Sequence, residues 1–158
     1  MRRILVVSVL AMCVGAALLL VVSRQPESAA KPAAGVSDDP AVAAILARSC
    51  EDCHSDRTRW PWYGHVWPVC WLLNHDVKEA RSHMDFSQWS KYSPDDKRQI
   101  LTEVAAEVRN NRMPPFRYLL MHRGARLSAD ETARIYAWTR NERRKLRAEA
   151  AGGAGDPR

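Results

Sequence analysis

Five consecutive residues, Cys50-Glu51-Asp52-Cys53-His54, constrain this chain more than anything else in it. Two thiols at this spacing can each add to one vinyl arm of a porphyrin, and the histidine after the second can reach the iron from the same face. The run points to one covalently attached haem c with His54 as its first axial ligand. Two other chemistries use a Cys-x-x-Cys pair. A structural zinc site needs two further nitrogen or sulfur ligands at matching spacing. No second such pair occurs, and Cys70 with His65 or His75 fits no common zinc pattern. A thioredoxin-like redox pair opens a helix that follows a strand, whereas the residues before Cys50 read as helix.

The N-terminus suggests where this chemistry takes place. Met1-Arg2-Arg3 precedes an uncharged apolar run from Ile4 to Val22, followed by Ser23-Arg24. As a helix that run would reach ~28 Å, close to the ~30 Å hydrocarbon core of a bilayer and longer than the apolar part of a secretory signal peptide. The expectation for residues 1–24 is an uncleaved signal anchor, with Ser28-Ala29-Ala30 as the alternative cleavage pattern. Arg2 and Arg3 would keep the short flank in the cytoplasm and place everything after Arg24 outside it. Residues 25–36, rich in Ala, Ser and Pro, read as a linker.

The folded unit is expected over residues 37–147, a single domain without internal repeats, followed by a disordered tail at 148–158. It reads as all-α. Asp39 caps a helix with Pro40 at its first position, and Val42, Ile45, Leu46 and Cys50 share one face. Pro68 opens a second helix toward Arg81, with Trp71, Leu72 and Val77 as core candidates. Ser93-Pro94-Asp95-Asp96 supplies a cap, a first-turn proline and an acidic pair, and Ile100, Leu101, Val104 and Val108 follow at helical spacing. Ser128-Ala129-Asp130-Glu131 is a capping box for a last helix, with Ile135, Trp138 and Leu146 inward and a run of arginines outward. No stretch alternates long enough to argue a sheet.

Cys-x-x-Cys-His-Ser, then Thr58-Arg59-Trp60-Pro61-Trp62-Tyr63, Pro68-Val69-Cys70-Trp71-Leu72-Leu73, Phe86-Ser87-Gln88-Trp89, Met113-Pro114-Pro115 and Leu127-Ser128 before Trp138 together resemble the small bacterial haem-binding domain family related to c-type cytochromes. The resemblance covers about Val42 to Trp138. It implies a cytochrome c-like helical domain around a single c-type haem, held outside the cytoplasm, here in the periplasm on an inner-membrane anchor. The chain departs from the family pattern at Cys70, where serine or alanine is usual, and at Ala80, where glycine usually precedes the arginine.

The second axial ligand is assigned to Met113, which sits before Pro114 just past the strongest helix; a methionine before proline resembles the distal ligand of c-type cytochromes. A core-filling methionine is the alternative, and Met84, Met121, His65, His75, His83 and His122 are the competing ligands. Trp60, Trp62, Tyr63 and Trp71 are candidate haem-pocket walls, since a flat macrocycle needs large apolar surfaces around it. Arg59 or Arg81 could pair with a haem propionate. Cys70 reads as a packed thiol.

The net charge of +6 leaves room for an acidic redox partner or anionic lipid, whereas an exported chain argues against nucleic acid. No hydrolytic or phosphate-binding constellation appears. The sequence therefore favours a membrane-tethered electron carrier with His54/Met113 ligation and no enzymatic activity, ahead of a peroxidase or small-ligand sensor with an open distal site.

Overall fold

The computed structural model describes residues 35–153. The anchor at 1–24, most of the linker at 25–36 and the last five residues of the tail lie outside the described residues. Six α-helices run along the described chain: α1 (Pro40–Ser49), α2 (Glu51–His54), α3 (Val69–His83), α4 (Pro94–Arg109), α5 (Phe116–Met121) and α6 (Ala129–Gly153), with short 3-10 turns at Trp62–His65, Phe86–Lys91 and Arg123–Ala125. Among the described residues there is no strand, and no helix is long and apolar enough to cross a membrane.

Three helix starts follow from their capping residues. The Asp39 carboxylate accepts hydrogen bonds from the Ala41 and Val42 amides at 2.8 and 3.4 Å, satisfying two N–H groups that the first turn of α1 leaves open. At α4 the Asp96 amide donates to Ser93 Oγ at 3.1 Å and the Ser93 amide donates back to Asp96 Oδ2 at 3.2 Å. At α6 the Glu131 amide donates to Ser128 Oγ, and the Ser128 amide donates to Glu131 Oε2 at 2.8 Å. Glu131 also meets Arg48 of α1 at 2.9 Å. Those partners, the Arg48 hydrogen bond foremost, hold its carboxyl down at about 2.

The described chain forms two compact units, residues 59–75 and residues 35–58 with 76–153. The core of the larger is built from one stripe of each main helix: Val42, Ile45 and Leu46 of α1, Ile100, Leu101 and Val108 of α4, and Ile135 and Trp138 of α6, joined by Met84 and Phe86. These are the positions that helical periodicity selects, and α4 and α6 pack along their length. Val36 is also buried in this core, so the folded unit begins ahead of Ser37. At the other end α6 continues to Gly153, which makes residues 148–153 helical where the sequence suggested a tail.

In the smaller unit, Gly64 is buried where a Cβ would meet Leu73 Cδ1 at 3.3 Å and Trp60 Cε3 at 3.4 Å. Tyr63 sets its ring edge-on to Trp62 at 5.7 Å. Trp71, expected in the core, is 67% exposed. It stacks instead on His75 one turn along the same helix, with ring centroids 5.9 Å apart, while Leu72 and Leu73 take the half-buried positions.

Candidate functional site

The two thiols and the imidazole are gathered by a break between α1 and α2. The Cys50 amide closes the last turn of α1 on the Leu46 carbonyl at 2.9 Å, and the Cys50 carbonyl accepts from the Cys53 and His54 amides at 3.2 and 3.1 Å. Cys50 is thus both the end of one helix and the cap of the next, with φ −128° and ψ −37°. Ser55 closes the turn by donating from Oγ to the Glu51 carbonyl at 2.8 Å. Both cysteines are free. Burial, followed by the charge of neighbouring groups, pushes the Cys50 thiol up to about 12 and the Cys53 thiol to about 11. Both are therefore neutral S–H groups at physiological pH.

His54 is held from behind by the segment after α3. Its Nδ1 lies 2.9 Å from the Met84 carbonyl oxygen. A carbonyl only accepts, so Nδ1 carries the proton and Nε2 keeps its lone pair for a metal. Burial lowers the pKa of the ring, outweighing the Met84 hydrogen bond, and the neutral form that ligation requires is favoured. Phe86 packs 6.1 Å from the imidazole, centroid to centroid.

The same segment grips the chain just past the histidine. The Asp56 amide donates to Ser87 Oγ at 2.9 Å, and Ser87 Oγ donates to Asp56 Oδ1 at 2.6 Å. Asp85 turns the backbone by accepting from the Ser87 amide at 2.8 Å, and the Asp85 amide donates to Tyr92 Oη at 3.0 Å. In the sequence His83 and Met84 stand only as rival ligands, and nothing there marks this clasp. Asp85-Phe86-Ser87 is a recognisable Asx-turn signal, but nothing local says that the turn serves His54.

Two further groups border the motif. Arg81 donates from Nη2 to Thr58 Oγ1 at 2.9 Å, while its buried Nε has no hydrogen-bond partner among the described residues. Its charge acts on the Cys53 thiol. From α5, Tyr118 donates to Asp52 Oδ2 at 2.7 Å and stacks on His122 with centroids 4.1 Å apart.

Met113 follows a helix end of defined geometry. Asn111 adopts φ +54°, the Asn111 amide donates to the Val108 carbonyl at 3.2 Å and the Arg112 amide to the Glu107 carbonyl at 2.9 Å. That is the paired closure of a Schellman ending, with asparagine where glycine is commonest. Met113 is half-buried against the core and lines a cavity of about 130 Å³ with Val108, Pro114, Phe116, Leu119 and Leu127. Cys50, Cys53 and His54 therefore share one turn, while Met113 lies on that cavity wall. Trp60, Trp62, Tyr63 and Trp71 all belong to the smaller unit, Trp60 and Tyr63 half-buried and Trp62 and Trp71 exposed. Cys70 is half-buried there.

The donor set fits a covalently held haem. It offers two protonated thiols on one turn, a neutral imidazole with a free Nε2, and a buried guanidinium N–H still lacking an acceptor. The alternatives fit less well. Among the described residues no group of three or more His, Cys, Asp and Glu side chains is placed to hold a metal ion, so a zinc site at Cys50 and Cys53 finds no further ligands there. A redox-active pair needs a lowered thiol pKa, opposite to what burial imposes here.

A model of the haem-binding domain family matches residues 11–141. The chain is also similar to the cytochrome c peroxidase Ccp of Escherichia coli (strain K12), 24% identical over 125 residues that cover 77% of this chain and 27% of that protein. It thus spans little more than a quarter of that relative's length. No solved structure matches it.

Proposed function

This chain belongs to the haem-binding domain family, and from that premise we propose that it is a mono-haem, c-type electron carrier. Cys50 and Cys53 form the thioether links, His54 is the proximal ligand and Met113 the distal one. The observation that carries the reading is the His54 ring, fixed through Nδ1 by the Met84 carbonyl at 2.9 Å on the turn that presents both thiols. When bound, the haem supplies a one-electron couple at its iron. The chain's own residues do the rest. Cys50 and Cys53 keep their protons until they add across the vinyl groups, so each thiol brings the hydrogen that the addition needs. The clasp of Met84, Asp85 and Ser87 holds the imidazole in one tautomer and one orientation, which limits reorganisation around the site. Arg81 Nε offers a donor to a haem carboxylate.

Replacing Met113 by alanine is expected to abolish the weak ~700 nm absorption of methionine-ligated ferric haem, open the site to carbon monoxide and lower the reduction potential. An unchanged spectrum and no gain of carbon monoxide binding would remove Met113 from the ligand set. Similarity to a protein named cytochrome c peroxidase supports a second reading, in which the distal position is labile and the haem reacts with peroxide. Carbon monoxide binding by the unaltered chain would favour it.

The location we propose is the outer face of a bacterial inner membrane, with residues 1–24 as anchor. A phosphatase fused after Val36 should be active only outside the cytoplasm, and the chain should stay with membranes through a high-salt wash. Activity of the fusion inside, or release by salt, would reject that placement.

A further inference from the structure

The electron carrier needs a face through which electrons enter or leave, and α5 has two sides that suit the task. Its inner side touches the haem motif through the Tyr118–Asp52 hydrogen bond. Its outer side shows Phe116, Leu120 and Met121 to solvent, 69, 57 and 61% exposed. Arg117 of α5 is exposed and Arg123 and Arg126 border this side, and residues 109–126 contain no Asp or Glu. Arg112 is paired with Glu107 at 2.7 Å and Arg117 loosely with Asp76 at 3.8 Å. Arg123 and Arg126 have no ion-pair partner among the described residues. These two line, with Phe116, Leu119 and Leu120, a cavity of about 310 Å³, large enough to accept side chains of a partner.

We infer that α5 and the Arg123–Ala125 turn form the docking face for an acidic electron-transfer protein. An apolar centre rimmed by arginines is the make-up of a protein interface, and a local surplus of positive charge steers an oppositely charged partner to it. A partner seated on the outer side of α5 is separated from the Cys50–His54 turn by about one helix diameter, ~10 Å. This rests on the electron-carrier reading above, and it selects an acidic protein over anionic lipid because the arginines surround exposed apolar side chains beside the haem motif.

The test uses the full-length holoprotein and a reduced plant-type ferredoxin, an acidic iron–sulfur carrier, with haem reduction followed by stopped flow. The iron–sulfur centre gives up one electron and the ferric haem takes it. R117E/R123E/R126E should slow reduction at low salt by about tenfold or more and flatten its salt dependence. R140E/R144E/R147E makes the same change in net charge on α6 and should alter the rate by less than about threefold. Leu120→Ser should slow reduction at every salt concentration. Equal slowing by the two triple variants, or slowing by neither, overturns the proposal. So does loss of binding to phosphatidylserine vesicles in R117E/R123E/R126E with ferredoxin binding unchanged, which would assign the face to lipid. Reduction by dithionite separates this from the carrier reading itself: a haem that dithionite does not reduce defeats the carrier, while calorimetric ferredoxin binding still decides the docking face.

Discussion

Cys50 and Cys53 show how burial keeps a pair of neighbouring thiols protonated. A thiol half-buried in the α1–α2 break is expensive to ionise, which is why the two rise to about 12 and about 11. In the haem-free chain they should resist iodoacetamide through neutral and mildly alkaline pH, while the same thiols in urea react at an ordinary rate. A folded-state pKa above the unfolded value of 9.0 contributes stability that is intact below pH 9 and lost as pH rises toward 11 to 12. Fast alkylation of the folded haem-free chain at pH 8 would contradict the buried environment. Their spacing alone marks this pair and His54 as one candidate site, and the structure gathers the three on one turn. The sequence did not reveal the Met84 carbonyl behind His54 Nδ1, because a backbone acceptor thirty residues away leaves no mark in side-chain pattern.

Helix starts and apolar stripes are set by residues close in sequence. Asp39, Ser93 and Ser128 each cap the helix that the sequence assigns them, and the apolar stripes of α1, α4 and α6 face one core. Trp71 departs from this because periodicity on α3 marks which residues share a face but not which face is covered. The end of α4 is the element on which Met113 depends. Asn111 sits at φ +54°, a region that asparagine tolerates and a β-branched residue does not. Asn111→Val should therefore destabilise the holoprotein by ~1–2 kcal/mol, and Asn111→Gly should change it by only a few tenths, measured by urea unfolding. Equal effects of the two substitutions would mean that the left-handed turn does not set the path into Met113.

For the whole molecule, the described chain is an all-helical haem-binding domain whose larger unit packs around the same stretch that delivers the attachment motif. Fold class was legible because α1, α4 and α6, the helices that build the core, carry their own start signals. Burial of the aromatics was not, because Trp60, Trp62 and Tyr63 lie in a loop and a short 3-10 turn where neither an α-helical nor an alternating period applies, and Trp71 lies on a helix whose covered face periodicity does not reveal. A domain of this size with three free cysteines in its described part gains stability from any group that binds only the folded form. We propose that this group is one haem joined to Cys50 and Cys53. Intact-mass spectrometry under denaturing conditions, on chain made in cells that carry out c-type haem maturation, tests it most directly. The unaltered chain should be heavier by one haem and C50S/C53S should appear at the bare polypeptide mass; an unaltered chain at the bare mass, or a double variant that still carries haem, would contradict the account.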